Sequence, residues 1–407
     1  MSESNYDLIV YGATSFVGQL LAAHLLRRHG VDGEVNWAIA GRSQAKLDQL
    51  KQDLQAPQLP TLVADAGDRA ALDALVAQTK VVVSTVGPYA LFGSELVAAC
   101  AVSGTHYCDL TGEAQWIRRM VDANEAAAVE SGARILNSCG FDSIPSDMGV
   151  WFTQQQALKE FGEPCTQIRL LVKKMRGGAS GGTIASGLNA FAEQASDPVV
   201  AEEMRNPYSI APAAFREGVT QPDVTTPEYH KDAASWLAPF VMAAINTRIV
   251  HRSHALEGHP WGRSFRYDES MMMGDGAAGL LKSVTTCGGT AVGTRAMTIT
   301  PLRNFVSKKL PQPGEGPSPK QQERGSYDIR FFGETASGKK IQTQVTGDRD
   351  PGYGSTSKML GEVAVALVQD VDKNAGKGGF WTPATAFGDQ LIELLTSHAG
   401  MTFKQLS

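Results

Sequence analysis

Between Asp7 and Asn137, short uninterrupted apolar runs alternate with longer segments whose apolar residues recur three or four apart. The runs near Leu8–Tyr11, Val35–Ala40, Thr61–Ala64, Lys80–Val86, Thr105–Asp109 and Arg134–Asn137 predict buried strands. The segments Phe16–His29, Gln44–Leu54, Arg69–Gln78, Gly93–Ser103 and Ala114–Ser131 predict the helices between them. Apolar strands that alternate with helices describe a parallel sheet covered on both faces. The fold class is therefore α/β, with an N-terminal doubly wound Rossmann domain expected over residues 1–147.

From Met148 the pattern changes. A helix runs to about Lys159, and Thr166–Lys173 then alternates apolar and polar positions as a half-buried strand does. Further strands are predicted at Thr247–Leu256, Arg263–Glu269, Tyr327–Gly333 and Lys340–Gly347, the last two as a hairpin. They predict a second α/β domain over 148–350, with a mostly antiparallel or mixed sheet covered by helices on one face. Its open face is the expected surface of a homodimer. Tyr353–Val368 reads as an amphipathic helix, and Thr382–Ala384 opens a last helix that ends before Gly400.

Two stretches stay open. Arg176–Thr183 is rich in glycine and reads as a flexible loop or as a loop facing substrate, with Thr183 and Ser186 as its polar groups. Met271–Val306 mixes methionines and small residues with the positive charges Lys282, Arg295 and Arg303. It leads through Lys308–Lys309 to the linker Pro311–Pro319, and reads as a helical hairpin on the core or as a surface that docks an acyl chain.

Composition narrows the classes. The chain has 407 residues, long enough for two cores, and its net charge of −5 gives no reason to expect nucleic acid as a partner. Five cysteines without a C-x-x-C pair predict neither a metal site nor a disulfide framework, which points to the reducing cytoplasm. No basic segment followed by an apolar one opens the chain, and no apolar run reaches the length of a bilayer. The expectation is a soluble protein, with peripheral membrane contact at most.

The chemistry concentrates at strand ends. After the first strand, Gly12-Ala-Thr14-Ser15-Phe16-Val17-Gly18 leads into a helix. Gly12 allows the tight turn, Gly18 a close helix approach, and the helix N-terminus offers N–H groups to a pyrophosphate. The second strand ends in Gly41-Arg42-Ser43, where a site for the unphosphorylated cofactor would carry a carboxylate. Arg42 and Ser43 suit the 2′-phosphate of NADP, or else Arg42 is solvated and caps the next helix. Asp65 lies where it reaches an adenine edge, and Val86-Gly87-Pro88 ends the fourth strand on the cofactor side.

Tyr89, Asp109, Glu113 and Asp142 follow strand ends there and are the catalytic candidates. Asp142 has capping the helix near Pro145 as its alternative, and Glu113 has bonding N–H groups of its own turn. Cys139 is a nucleophile or a small buried residue, and no Tyr-x-x-x-Lys occurs. His251, His254 and His259 cluster without an acidic partner in register, at a solvent edge or in catalysis.

Gly12–Gly18, Ala40–Ser43, Val86–Tyr89, Tyr107–Glu113 and Gly140–Asp147 occur in this order. Together with Gly347–Tyr353 and Gly378–Ala384 they resemble the saccharopine dehydrogenase-like oxidoreductases, which include trans-acting enoyl reductases. The resemblance implies NADP(H), oxidoreductase chemistry, and C-terminal helices over 351–407 that return to the Rossmann domain. The function expected is reduction of a C=C (enoyl) or C=N bond in a small-molecule or acyl-chain substrate. The alternative is a redox-inactive NADP(H) sensor or scaffold, possible on a lipid surface.

Overall fold

The computed structural model describes residues 5–177, 181–297, 299–301, 303, 316–370 and 377–406. Lys308–Lys309, residues 311–315 of the linker and residues 178–180 of the glycine-rich stretch lie outside that description, as does the side chain of Thr183.

Two sheets organise the chain. The first contains β1 (Tyr6–Tyr11), β2 (Trp37–Gly41), β3 (Thr61–Val63), β4 (Thr79–Ser84), β5 (His106–Asp109) and β6 (Arg134–Leu136). All pair in parallel, in the order β6-β5-β4-β1-β2-β3. The order reverses between β1 and β4, which opens a crevice at their carboxyl ends. The second sheet contains β7 (Cys165–Arg176), β8 (Glu228–His230), β9 (Ser235–Pro239), β10 (Arg266–Gly274), β11 (Ser326–Thr335) and β12 (Lys340–Gly347). It is mixed, since β7 and β10 are parallel and its other pairs are antiparallel.

Each sheet is completed from the far end of the chain. Strand β13 (Gly379–Trp381) adds to β6, and β14 (Met401–Gln405) adds to β12. Neither has enough periodic length to register as a strand in the sequence. The helix Ile144–Phe161 joins the two layers, and one apolar cluster runs from Leu8 and Val10 through Met148 and Val150 to Phe331. Gly149 makes that contact close, because a Cβ there would lie 2.1 Å from the Phe331 ring. The helix Thr356–Asp370 packs on the helix Phe16–His29 and on β1, β4 and β5.

Two sequence expectations are corrected. Thr247–Leu256 is not a strand but part of the helix Ala243–Leu256. Its β-branched run imitates a strand, and its buried faces carry polar residues that hide the helical period. Arg248 donates to Ser209 and Met204, and Arg252 to the carbonyls of Ile210 and Phe380, so these cations are buried with partners. The Met271–Val306 stretch does not start as a helix: Met271–Met273 lie in β10, the helix Gly276–Met297 follows, packed through Gly279, Ser283 and Cys287, and Thr300, Pro301 and Arg303 are helical again. His251 and His254 therefore lie on the helix Ala243–Leu256, buried among aromatic rings.

Candidate active site

The turn after β1 is built by close approach. Gly12 has φ +82°, and a Cβ on it would lie 2.6 Å from Val86. A Cβ on Gly18 would lie 2.3 Å from the Gly12 carbonyl oxygen, so the helix enters the sheet with no space for a side chain. Ser15 caps that helix by accepting from the Gly18 N–H at 2.9 Å. Its hydroxyl also lies 2.9 Å from Thr85 Oγ1, and Thr85 donates to the Gly12 carbonyl at 2.9 Å. Thr85 is thus the cross-tie between the turns after β1 and β4, a role that its place in an apolar strand end did not announce.

The rest of the turn is framed from both sides. Thr14 offers its carbonyl to Gln19, and Val17 is buried below. The half-buried Phe16 ring meets Tyr353 edge-on at 5.2 Å. Val86 and Pro88 are half-buried and Gly87 is exposed, which leaves the Val86–Pro88 rim open toward the crevice. Ser186 lies close to it, 3.6 Å from where a Gly87 Cβ would be.

The end of β2 supplies the charge. Arg42 is exposed and forms no ion pair among the described residues, while Ser43 caps the helix Gln44–Asp53 through the Lys46 N–H. Capping thus falls to Ser43 and leaves Arg42 available. Asp65 accepts from the Gly67 N–H at 2.9 Å. Burial, the charge of Asp65 and, in opposition, Arg42 set the Tyr11 hydroxyl, which is pushed up to about 12. These three groups therefore share one end of the crevice. The fit to NADP is steric and electrostatic: two glycines that no other residue can replace, a helix start without acidic residues, and an unpaired guanidinium.

The four acid–base candidates separate. Tyr89 is buried, and its hydroxyl donates to the Ser84 carbonyl at 3.0 Å. Asp109 is fully buried and accepts from Tyr107, Asn137 and the N–H groups of Thr111 and Ser138. Burial still raises its carboxyl to about 6. Glu113 accepts from the Tyr89 and Ala90 N–H groups at 2.8 and 3.0 Å, clamping the turn after β4 rather than its own. These three hold the walls, and their oxygens are occupied.

Asp142 differs. It is partly exposed, and its carboxyl has no hydrogen-bond partner among the described residues. Burial first, then the charge of Glu269, raises it to about 7. It does not cap the helix Ile144–Phe161, whose N-cap is Ser143 with no side-chain capping bond. Its loop is fixed by Thr356, which accepts from the Phe141 N–H at 2.9 Å. Cys139 is fully buried, and burial pushes its thiol above the ordinary range, which fits the small buried residue rather than the nucleophile.

Glu269, which accepts from Tyr267 at 2.6 Å and from Asn246 at 2.8 Å, was not legible as part of a buried polar cluster. The one available signal was a second acidic residue, Glu269, beside Asp268 in a stretch that reads as a strand. A cavity of about 290 Å³ lined by Arg169, His230 and Lys340 lies on the opposite face of the second sheet, away from the crevice.

The crevice at the β1–β4 reversal, its glycine turn and its free arginine define an NADP-dependent oxidoreductase. Residues 8–136 match the saccharopine dehydrogenase NADP-binding domain. A protein of Mycobacterium tuberculosis named as a trans-acting enoyl reductase is 39% identical over 98% of this chain and 97% of its own. The trans-acting enoyl reductase of Mycobacterium bovis is 37% identical over 97% of this chain and 96% of its own. The fold is shared with saccharopine dehydrogenase (L-Glu forming) of Saccharomyces cerevisiae at 13% identity and TM-score 0.54, over 99% of this chain and all of that one. The chain belongs to the saccharopine dehydrogenase-like family that includes the trans-acting enoyl reductases.

Proposed function

We propose that this oxidoreductase reduces the C=C bond of an enoyl thioester with NADPH. The observation that carries the reading is full-length similarity at 39% identity to a protein named for that reaction. The Gly12–Gly18 turn binds the pyrophosphate, Arg42 and Ser43 the 2′-phosphate, Asp65 the adenine edge, and Val86–Pro88 the nicotinamide side. Bound NADPH supplies the hydride. Of the four catalytic candidates, Asp142 is the one with a free carboxyl, and Tyr89, Asp109 and Glu113 keep the crevice in shape around it. Residues 1–147 act as the nucleotide domain, 148–350 as the substrate and dimer domain, and 351–407 as the return.

The test is oxidation of NADPH and NADH with crotonyl-CoA, with a 2-oxo acid plus amine, and with an aldehyde. Turnover of crotonyl-CoA alone is expected. Arg42→Ala should raise the NADPH dissociation constant roughly tenfold, as loss of one exposed charge-assisted contact does, and leave NADH binding unchanged. Equal turnover with the amine mixture would shift the reading to C=N reduction. Binding of NADPH without any turnover would favour the sensor.

We also infer a peripheral surface. The helix Gly276–Met297 exposes Leu280, Leu281, Val284 and Val292, and Lys282 and Arg295 are its charges. Apolar residues beside positive charge alone suit an anionic lipid surface. No helix among the described residues is long and apolar enough to cross a membrane. Flotation with anionic and neutral vesicles checks the contact, and sedimentation checks whether the same surface makes a homodimer instead. Five buried free thiols go with a reducing, cytoplasmic setting.

A further inference from the structure

Between β12 and the helix Thr356–Asp370 the chain leaves the second sheet for the helix that packs on the first, through the turn Pro351–Ser355. The motif Gly347–Tyr353 ends inside this turn. Asp350, fully buried, builds it. One carboxylate oxygen accepts from the Tyr353 N–H at 3.0 Å, and the other from the Gly354 N–H at 2.9 Å. Two glycines press on it from neighbouring segments. A Cβ on Gly325 would lie 2.1 Å from the Asp350 nitrogen, and a Cβ on Gly177 would lie 2.7 Å from Pro351 Cδ. A turn gripped this closely cannot shift without moving its neighbours.

Its side chains reach two parts of the site. Tyr353, 2% exposed, sets its ring edge-on against Phe16 at 5.2 Å. Phe16 is the first residue of the helix that leaves the glycine turn. Gly316 also lies against it, since a Cβ there would be 2.5 Å from the Phe16 ring. Two segments from the far half of the chain therefore hold one ring at the start of the cofactor helix.

Thr356 faces the other part. Its hydroxyl accepts from the Phe141 N–H at 2.9 Å and donates to the Pro351 carbonyl at 2.8 Å, which ties the Phe141 loop to the turn. A Cβ on Gly140 would lie 2.8 Å from the Thr356 methyl. Tyr327 backs the same loop: its ring meets Phe141 edge-on at 5.1 Å, and its hydroxyl lies 3.1 Å from Ser355 Oγ. The next residue is Asp142, whose Oδ2 is 3.7 Å from where a Gly112 Cβ would be. Its loop thus borders the turn after β5, at the carboxyl end of the first sheet.

We propose that the turn Asp350–Thr356 aligns the cofactor turn with the Asp142 loop, and that Tyr353 and Thr356 are its positioning residues. Tyr353 fixes the helix start at the pyrophosphate by holding the Phe16 ring. Thr356 fixes the Phe141 backbone and with it the place of Asp142. Asp350 acts on both through the turn it builds. The roles rest on the cofactor and enoyl reading above. A misplacement of about 1 Å between reacting groups can cost about a hundredfold in rate, and a rigid turn between the two loops prevents it.

The experiment separates the two contacts. Tyr353→Leu should raise the NADPH dissociation constant about tenfold, whereas Tyr353→Phe, which keeps the ring, should stay within about threefold. Phe16→Leu removes the same contact from the half-buried side, so the double variant should bind no more weakly than the worse single one. Thr356→Val should leave NADPH affinity within about twofold and lower kcat with crotonyl-CoA about tenfold or more, and Thr356→Ser should restore it. Without substrate, Thr356→Val should quicken hydrogen exchange around Phe141, and Tyr353→Leu around the glycine turn, each leaving the other segment unchanged. Additive losses in the double variant overturn the alignment, as do equal losses in Tyr353→Leu and Tyr353→Phe. So does a Thr356→Val loss that Thr356→Ser does not restore, or exchange that quickens throughout the protein, the sign of general destabilisation. If the wild type does not reduce crotonyl-CoA, the enoyl reading falls, and NADPH affinity and exchange still decide the alignment.

Discussion

Gly18 and Arg42 occupy the same crevice and are constrained in opposite ways. A Cβ on Gly18 would meet backbone, the Gly12 carbonyl at 2.3 Å and Ala13 Cα at 2.8 Å, and neither can step aside without moving the turn. Gly18→Ala should therefore lower NADPH affinity at least tenfold and stability by about 1–3 kcal/mol, read by titration calorimetry and thermal melting. An unchanged affinity would mean the helix start does not contact the pyrophosphate. Arg42 has no such packing, so its substitution should leave the melt unchanged and act on the cofactor alone. Both positions were legible, because a required glycine and a missing carboxylate are local signals. Asp142 was legible as an acid near a strand end. Its distinction from Asp109 and Glu113 was not, since it lies in hydrogen bonds to distant residues such as Asn137 and Tyr89.

Among elements, the helix Phe16–His29, which starts at the glycine turn, is packed against the helix Thr356–Asp370. Glu362, fully buried, lies 2.8 Å from His24 and 3.1 Å from Arg28. Removing one member of a buried group of this kind leaves charge unanswered, and the outer partner Arg28 is partly solvated, which tempers the cost. Glu362→Ala should destabilise the protein by about 2–3 kcal/mol in urea denaturation, with NADPH affinity little changed in the folded fraction. A change below about 0.5 kcal/mol would show that apolar packing alone docks the two helices. The element that sequence misread, Ala243–Leu256, shows why period fails for a helix buried on most sides. Arg248, Arg252 and Ser253 sit inward because partners far along the chain satisfy them.

At the scale of the whole molecule, the chain closes on itself twice. Phe380 of β13, Leu391, Leu395 and Met401 of β14 are at most 2% exposed. Burying four such side chains contributes about 6 kcal/mol or more, comparable to the whole stability of many proteins, about 5–15 kcal/mol. A chain ending at Gly378 should lose its cooperative thermal transition and aggregate, measured by circular dichroism and size exclusion. A transition within a few degrees of the full chain would show that both sheets tolerate open edges.

Local chemistry set the parts that the sequence determined: the βα alternation from Asp7 to Asn137, the glycine turn, NADP as the cofactor, and the family. Each depends on residues near one another in the chain, whose period, turn conformation and charge act over a few positions. Tertiary structure alone decided the short edge strands β13 and β14, the cross-tie at Thr85, and the burial of Glu269 between Tyr267 and Asn246. Strands of three to five residues form because a neighbouring edge is waiting for them, and a carboxyl's environment depends on which donors folding brings beside it.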